Sequence, residues 1–412
     1  MSLHAEGQKR MANTRYDVCI NGAGPVGATL ACRLSAAGLR VLLIDRAALP
    51  GLEDPSLDGR AYAIAEGPRR LLEEAGVWAN LPGTSQPIRG IRVSDGRPYE
   101  KASPLFLHFG IDDAPSGQPF GWMAEARDLR LALNHTLLTA ENITVEAPNT
   151  GRFVFADDHV EIHLASGTKA SAKLIVAAEG RRSPLREQAR IGITKIPYHQ
   201  YGIVATIAHE RPHNGVALEH FLPQGPFARL PMPGTAEHPN RSAIVWAEGE
   251  GRAQRSHAFP DDVFAREIKA RMGDEDLGEI TPIGRRWLYP LSAQYAQTYI
   301  SHRLALVGDA AHGIHPIAGQ GLNIGFKDVI ALSDILISAH QNAQDLGAAS
   351  LLQLYQRRTR PANMAMFAAT DVLERLFSND NPLLRRIRDI GISGVHRLPA
   401  LRKAFVRRAM GL

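Results

Sequence analysis

A glycine-rich turn near the start of the chain constrains the fold more than any other feature. It has G-x-G-x-x-G spacing and lies between a short apolar run at 16–20 and a segment at 28–37 that is typical of a helix. In this motif the first glycine permits a tight turn, the second lets a pyrophosphate approach the backbone, and the third lets the helix pack on the strand. With a second apolar run at 41–45, the pattern predicts a Rossmann-like βαβ unit.

An acidic residue strengthens the prediction of dinucleotide binding. Asp45 follows the glycines by about 20 residues, where a carboxylate can accept hydrogen bonds from the ribose hydroxyls of an adenosine. A carboxylate at the end of a strand is common in itself, so the prediction rests on the combination. The candidate cofactor-binding residues of this unit are Gly22, Gly24, Pro25, Val26, Gly27, Asp45 and Arg46.

A second pattern, far along the chain, favours a flavin over a nicotinamide as the bound cofactor. A buried strand predicted at 304–307 ends in Gly308-Asp309, and a glycine-rich helix start follows at 319–325. A ribityl chain could hydrogen-bond to Asp309, while N–H groups at the helix start would stabilise negative charge on a reduced isoalloxazine ring. A nicotinamide dehydrogenase would leave this pattern unexplained. The candidate residues are Gly308, Asp309, Gly319, Gly321, Leu322 and Asn323.

The sequence between these two patterns predicts a mixed α/β fold with interleaved domains. Strand-like segments separated by Pro and Gly turns between 202 and 247 predict an inserted antiparallel β-sheet domain for the substrate. We therefore expect a Rossmann-like FAD-binding domain at 14–87, 121–195 and 289–345, a substrate domain at 88–120 and 196–288, and C-terminal helices at 346–412.

Composition excludes several classes of protein. Of the 412 residues 44% are hydrophobic and 22% are charged, which is typical of a chain with a real core. No apolar run approaches the roughly 18 residues that a membrane span needs, and the polar N-terminus does not resemble a secretory signal. The net charge of +5 is too small to indicate nucleic-acid binding. Cys19 and Cys32 have no metal-ligand spacing, so we expect no metal and a reducing, cytoplasmic location.

One stretch connects the chain to a known family. Residues 315–328, with the sequence HPIAGQGLNIGFKD, resemble the signature of the ubiquinone-biosynthesis hydroxylases almost letter for letter. These are group A flavoprotein aromatic hydroxylases of the p-hydroxybenzoate hydroxylase type, and the resemblance extends over essentially the whole chain. It implies FAD as cofactor, NADH or NADPH as reductant, O2 as cosubstrate, and hydroxylation of a polyprenylated phenol or quinol through a C4a-hydroperoxyflavin.

The resemblance also implies roles for individual residues. In the segment 58–64, Arg60 matches the arginine that meets the flavin, and Arg127 matches a helix arginine that reaches the cofactor. Pro316 would line the flavin face near C4a, which makes it a candidate catalytic residue. His312 is a second candidate, as an acid–base group beside the flavin, although a histidine next to a helix more often makes a structural hydrogen bond.

One departure from the family pattern concerns the nicotinamide. The family has an Asp-Gly motif that serves both the FAD pyrophosphate and nicotinamide access, and Glu179 stands here in place of that aspartate. The candidates for this role are Glu179, Gly180 and Arg186. The extra methylene of Glu179 leaves open a second interpretation, in which it is only a carboxylate at a strand end with solvated arginines nearby.

Aromatic side chains of the predicted β-sheet domain are the candidates for contact with a lipophilic aromatic substrate. They lie on strand-like segments, and a sheet core also needs such residues. The candidates are Tyr201, His220, Phe221, Phe227 and Trp246.

The C-terminal segment 385–412 is strongly basic, with one acidic residue, and it carries apolar residues near helical spacing. It predicts a peripheral contact with the inner face of a membrane or with a quinone-biosynthesis complex, against the alternative of a solvated face. Its basic residues are Arg385, Arg386, Arg388, Arg397, Arg402, Lys403, Arg407 and Arg408.

Two other functions remain open at this point. One is hydroxylation of a small soluble aromatic, and the other is a non-catalytic flavin-binding subunit in which Glu179 marks a lost nicotinamide function. A flavin halogenase is disfavoured because its Trp-x-Trp-x-Ile-Pro segment is absent. The ring carbon, the prenyl length, the choice between NADH and NADPH, and the oligomeric state are left undecided.

Overall fold

The computed structural model describes residues 14–49, 51, 60–103, 106–114, 117–314 and 320–377, together with Val406 and Met410. The candidates Pro316 and Gly319 lie outside the described residues, as does most of the basic C-terminal segment.

Within the described residues the chain forms nineteen strands and eight α-helices. The strands are β1 (Thr14–Asn21), β2 (Val41–Ile44), β3 (Ala61–Ala65), β4 (Gln86–Ile88), β5 (Gly90–Asp95), β6 (Leu107–Gly110), β7 (Gly121–Glu125), β8 (Ile143–Glu146), β9 (Gly151–Phe155), β10 (Val160–Leu164), β11 (Lys169–Ala177), β12 (Ile193–His209), β13 (Val216–Leu222), β14 (Gly225–Met232), β15 (Arg241–Gly249), β16 (Ile280–Ala296), β17 (Ile300–Ser301), β18 (Leu304–Leu306) and β19 (His312–Gly313). The helices are α1 (Pro25–Ala36), α2 (Glu66–Glu74), α3 (Ala126–Thr139), α4 (Pro184–Gln188), α5 (Glu250–His257), α6 (Asp261–Ala270), α7 (Gln320–Gln341) and α8 (Ala349–Phe377).

The first sheet is the Rossmann-like sheet that the glycine motif predicts. Its strands β18, β11, β1, β2 and β8 lie side by side and pair in parallel, so that Val18 of β1 is opposite Val41 on one side and Leu174 on the other. Residues 18–20 of β1 and all of β2 are buried, continuous apolar runs, as expected for a parallel sheet that is covered on both faces. β18 brings the Gly308-Asp309 turn to the same edge as the glycine turn after β1.

The second sheet is the predicted inserted sheet, and it is mostly antiparallel. Its order is β19-β16-β12-β15-β14-β13-β5-β6, with one parallel pair between β13 and β5. The long strands β12 and β16 pair with each other and run across the proposed domain boundaries near 195 and 288. The exact division into domains therefore stays a prediction, whereas the mixed α/β class is confirmed.

The two faces of the second sheet have different coverings. On one face, which we call the helix-covered face, Ile244 and Trp246 pack against Phe264 and Ile268 of α6. The other face, which we call the inner face, is formed by residues one position apart from these along each strand. It packs on the small sheet β3-β7-β4 through Met123 of β7.

The predicted C-terminal helical region is confirmed as far as residue 377, where α8 ends. Tyr355 of α8 is buried and donates a hydrogen bond to the carbonyl of Leu306 at 2.8 Å, which ties α8 to the first sheet. No helix in the described part of the chain has the length and apolarity needed to cross a membrane.

Candidate active site

The three glycines of the first turn have different surroundings. Gly22 has a φ of +112°, and a Cβ on it would overlap the carbonyl of Ala178. A Cβ on Gly27 would overlap the carbonyl oxygen of Gly22. A Cβ on Gly24 would meet nothing within 4 Å, so this glycine faces open space. The first and third glycines therefore serve the turn and the packing, and the second leaves room for a ligand.

The start of α1 offers uncapped backbone donors beside that open space. Gly24 is the N-cap residue and supplies no side-chain hydrogen bond, and Pro25 occupies the first turn, so the N–H groups of Val26 and Gly27 have no capping side chain. Such N–H groups at a helix N-terminus bind phosphate. The residues present therefore fit the pyrophosphate of FAD.

Asp45 directly follows β2 and lies next to the glycine turn. Its carboxylate accepts hydrogen bonds from the N–H of Ala23 at 2.6 Å and from the N–H of Ala47 at 2.8 Å. A carboxylate has about four acceptor positions, so these two bonds fix its orientation and leave others for ribose hydroxyls. Arg46, the neighbouring candidate, is exposed.

Sequence reasoning chose Arg127 on α3 and missed Arg130. Arg127 is exposed, whereas Arg130 is buried and donates to the carbonyl of Ala23, inside the glycine turn, at 2.6 Å. The signal that could have identified it is helical spacing, because Arg130 lies one turn before Leu133 on the buried stripe of α3.

These two arginines allow a matched pair of substitutions. We expect Arg130→Met to lower the free energy of unfolding by about 1–3 kcal/mol, because it leaves a buried carbonyl without its partner. Arg127→Met should leave the unfolding free energy of the apoprotein unchanged while weakening FAD binding. Urea denaturation of both apoproteins, with FAD titration by fluorescence quenching, measures this. Equal loss of stability in the two variants would contradict the assignment.

One residue of α1, Val26, packs against both the Gly308-Asp309 turn and α7. A Cβ on Gly308 would lie 3.2 Å from Val26, and a Cβ on Gly325 of α7 would lie 2.7 Å from it. Val26 is thus a packing contact that joins the two cofactor motifs. Asp309 is 48% exposed and accepts a hydrogen bond from Arg181 at 3.2 Å, so its carboxylate is available to a ribityl chain.

A buried carboxylate holds this turn in place. Asp328 of α7 is fully buried, and its Oδ2 accepts from the N–H of Gly308 at 2.9 Å and from Nε2 of His312 at 2.5 Å. Its Oδ1 accepts from the amide of Asn363 on α8 at 2.8 Å. Burial on its own would lower the pKa of His312, but the Asp328 carboxylate outweighs it and raises that pKa. The direct acid–base role of His312 stays a prediction, since its described partner is Asp328.

The ion pair makes stability depend on pH. Because the pKa of His312 is raised on folding, the stability it contributes is complete below its unfolded pKa and is lost as pH rises through its folded pKa. We expect the gap in unfolding free energy between the wild type and His312→Asn to shrink as pH increases from about 6 to 9. Denaturation curves across this range measure it, with the exposed His302→Asn as control. A gap that widens with pH would contradict the pairing.

The start of α7 is joined to β3 by one side chain. Asn323 is buried; its Oδ1 accepts from the N–H of Ala65 at 3.0 Å and its Nδ2 donates to the carbonyl of Ala63 at 2.8 Å. The amide is therefore structural, and only the backbone of Asn323 is left for a cofactor. A Cβ on Gly321 would meet nothing within 4 Å, whereas Leu322 packs on the main core.

Residues 179–186 pack against the two turns that carry the candidate cofactor-binding residues. Glu179 accepts hydrogen bonds from Asn21 at 2.5 Å and from the hydroxyl of Ser183, and burial raises its pKa. Arg186 is 2% exposed and donates to the carbonyls of Ala310 at 2.9 Å and Arg181 at 2.8 Å. Gly180 has a φ of +83°, which favours glycine. These contacts favour a structural interpretation, and nicotinamide access by this segment stays a prediction.

Arg60 lies at the other end of the site, facing the second sheet. Its guanidinium is 5.8 Å from the ring centre of Trp287, which stacks on Tyr289 with centres 6.1 Å apart. Arg285 lies 4.1 Å from the same tryptophan ring. The aromatic pair on β16 was not among the predicted substrate contacts.

Most of the predicted substrate aromatics lie on the helix-covered face. Tyr201, Phe227 and Trp246 pack there, which favours the alternative that they are core residues, and their contact with a substrate stays a prediction. His220 is also buried, and its side chain does not lie on the inner face. Its Nδ1 forms a hydrogen bond with the hydroxyl of Ser94 at 2.6 Å, and burial lowers its pKa to about 4. Phe221 alone of the five belongs to the inner-face cluster.

Comparison with known proteins decides the family. The family model described as "FAD binding domain" matches residues 15–145 and 152–370. The chain belongs to this FAD-binding family. It is 46% identical over 396 residues to the ubiquinone hydroxylase UbiL of Rhodospirillum rubrum, covering 96% of this chain and 89% of that protein. It is 31% identical over 405 residues to the 3-demethoxyubiquinol 3-hydroxylase of Escherichia coli, covering 98% of this chain and 100% of that protein.

A solved structure shows the same fold. The p-nitrophenol 4-monooxygenase PnpA from Pseudomonas putida DLL-E4 has a TM-score of 0.76 at 16% identity, covering 97% of this chain and 98% of that one. These comparisons confirm the predicted group A flavoprotein monooxygenase family. The flavoprotein is an FAD-dependent monooxygenase, and membership of the family implies a nicotinamide nucleotide as reductant and O2 as cosubstrate.

Proposed function

We propose that this flavoprotein hydroxylates the aromatic ring of a polyprenylated phenol or quinol in ubiquinone biosynthesis. The observation that carries the proposal is its 46% identity, over 96% of the chain, to a relative named ubiquinone hydroxylase.

The protein binds and orients the cofactor in this proposal. FAD, when bound, accepts two electrons from the nicotinamide nucleotide and activates O2 for insertion into the substrate ring. The start of α1 and Asp45 would hold the adenosine and pyrophosphate end. Asp309 and the start of α7 would hold the ribityl and ring end, with Arg60 beside the ring. The second sheet would cover the substrate and exclude water.

Genetic complementation tests the function and the ring position together. The protein is expressed in bacterial strains that each lack one ubiquinone ring hydroxylase, and the quinones are identified by mass spectrometry. Restored ubiquinone in one strain supports the proposal and identifies the ring carbon, and restoration in several indicates broad regioselectivity. If no strain is restored although the purified protein holds FAD, the proposal fails. Rapid reduction of that FAD by NADPH or NADH then favours a small soluble aromatic substrate, and slow reduction favours a non-catalytic subunit.

We also propose that the basic C-terminal segment contacts an anionic membrane surface where the lipophilic substrate resides. A chain ending near Ser393 would lose Val406 and Met410, which are buried, as well as the charges. The sharper variant replaces Arg402, Lys403, Arg407 and Arg408 by glutamine and keeps both apolar residues. In flotation with anionic liposomes, the full chain should bind and the glutamine variant should bind less, since each charge near the surface contributes about 1 kcal/mol. Equal binding would refute the contact.

A further inference from the structure

The side chain of Arg181 connects the Gly308-Asp309 turn to the second sheet. Its Nε donates a hydrogen bond to Oδ2 of Asp309 at 3.2 Å. Its Nη1 donates to both the carbonyl oxygen and the hydroxyl oxygen of Ser292 on β16, each at 2.9 Å. Asp309 follows β18 of the first sheet, whereas Ser292 belongs to the second. One guanidinium group therefore bridges the two sheets at the candidate ribityl ligand.

The backbone of Arg181 is held by two buried side chains. Its carbonyl accepts a hydrogen bond from Nη2 of Arg186 at 2.8 Å and another from the side-chain amide of Gln294 at 3.2 Å. The same amide donates to the carbonyl of Asp309, also at 3.2 Å. The arginine and the aspartate therefore share one buried anchor, which fixes their positions relative to each other.

A buried glycine leaves room for the guanidinium group. A Cβ on Gly313 of β19 would lie 3.0–3.2 Å from three atoms of the Arg181 guanidinium, which is closer than an unstrained contact. Gly313 is not among the glycines with a positive φ, so its backbone conformation does not itself require glycine. Arg181 thus packs directly on the backbone of β19.

The ion pair between Arg181 and Asp309 is partly open to solvent, with side chains 38% and 48% exposed. In the described part of the chain Arg181 is the one hydrogen-bond donor to the Asp309 carboxylate. It occupies one of about four acceptor positions, which leaves Oδ1 for a ligand hydroxyl. An exposed carboxylate without such a donor would have to lose its rotamer freedom when the ligand binds.

We propose that Arg181 is a positioning residue for FAD. It holds the Asp309 carboxylate in the orientation that accepts the ribityl hydroxyls, and it fixes that carboxylate relative to β16. Because the carboxylate is ordered before FAD arrives, FAD binding costs less side-chain entropy. The inference rests on the predicted role of Asp309 and is independent of which aromatic ring the enzyme hydroxylates.

The FAD affinity of the apoprotein tests the proposal through a double-mutant cycle. The variants are Arg181→Met, Asp309→Ala and the double variant, and the matched control is Arg182→Met at the exposed neighbouring position. Dissociation constants come from quenching of FAD fluorescence. Urea denaturation of each apoprotein measures its stability and establishes that it folds.

We expect Arg181→Met to weaken FAD binding by roughly tenfold, which is the scale of one charge-assisted hydrogen bond, and Asp309→Ala to weaken it at least as much. The double variant should bind FAD within about twofold of Asp309→Ala alone, because without the carboxylate the arginine has nothing to position. Arg182→Met should bind FAD like the wild type.

Two further variants change the guanidinium contacts and keep the carboxylate. Arg181→Lys retains the charge but lacks the planar fork that bonds Asp309 and Ser292 together, so its FAD affinity should lie between those of the wild type and Arg181→Met. Gly313→Ala should displace the guanidinium group without removing any charge. It should weaken FAD binding in the presence of Arg181 and have no effect in the Arg181→Met background.

The proposal fails if the losses of Arg181→Met and Asp309→Ala multiply in the double variant, since Arg181 would then contact FAD itself or act through the fold. Wild-type FAD affinity in either single variant would also overturn it. Complementation measures quinones whereas this cycle measures FAD binding, so either this proposal or the proposed function can fail without the other.

Discussion

Asp328→Ala is expected to lower the free energy of unfolding by about 3–5 kcal/mol, which is the cost of removing one partner from a buried ion pair. The substitution leaves His312, the N–H of Gly308 and the amide of Asn363 without their common acceptor. It should also weaken FAD binding, because the Gly308-Asp309 turn loses the bond that fixes it. Chemical denaturation of the apoprotein and FAD titration measure the two effects separately.

A second aspartate on the same helix provides the control. Asp334 of α7 is 54% exposed and lies 4.0 Å from Arg33, so Asp334→Ala should change stability by less than about 1 kcal/mol. Asp328→Asn, which retains one acceptor oxygen, should fall between the two. If Asp328→Ala were as stable as Asp334→Ala, the buried carboxylate would not have the role that its contacts indicate.

Gly27→Ala is expected to lower the stability of the apoprotein, whereas Gly24→Ala is expected to lower its affinity for FAD. In Gly27→Ala the new methyl group overlaps the carbonyl oxygen of Gly22, so the apoprotein should lose about 2–3 kcal/mol of unfolding free energy. In Gly24→Ala the methyl group enters open space, so the apoprotein should keep its stability. That space is where a pyrophosphate would approach, and FAD affinity should therefore fall by roughly tenfold or more.

The comparison needs only apoprotein stability and FAD affinity for each variant. Thermal unfolding of the apoproteins and fluorescence titration with FAD supply them. Undiminished FAD binding by Gly24→Ala would show that the cofactor does not use the open side of the glycine turn.

Local sequence signals were sufficient to predict the elements that carry the cofactor. The glycines and apolar runs predicted β1, α1 and β2 to within a few residues, because a strand buried on both faces must be continuously apolar and the turn has strict steric needs. The same reasoning placed β18 and the start of α7 correctly. These are signals that neighbouring residues carry on their own.

Contacts between distant segments could not be predicted in this way. Asn323 reaches β3 and Asp328 reaches α8, and neither partner is marked in the local sequence. The face of the second sheet on which each aromatic side chain lies could not be predicted either, for a different reason. All eight residues of β14 are buried, so alternation along the strand does not tell which face meets helices and which meets the cofactor domain.

The basic C-terminal segment shows a further limit of pattern reasoning. Its apolar residues predicted contact with lipid, yet Met410 is buried against the protein itself. An amphipathic pattern indicates that one side of a segment is covered, but it does not identify the covering surface.

The parallel pairing of β11 with β18 also imposes an order on biosynthesis. The ribosome completes β11 at residue 177, but β18 begins only at residue 304, which is 127 residues later. At translation rates of 5–20 residues per second, one edge of the nascent sheet waits roughly 6–25 s for its neighbour. The two cofactor motifs are still further apart, because Gly308 follows Gly27 by 281 residues. Both motifs are therefore available to FAD only late in the synthesis of each chain, and until then residues 175–177 of β11 form an open strand edge that the cofactor cannot help to cover.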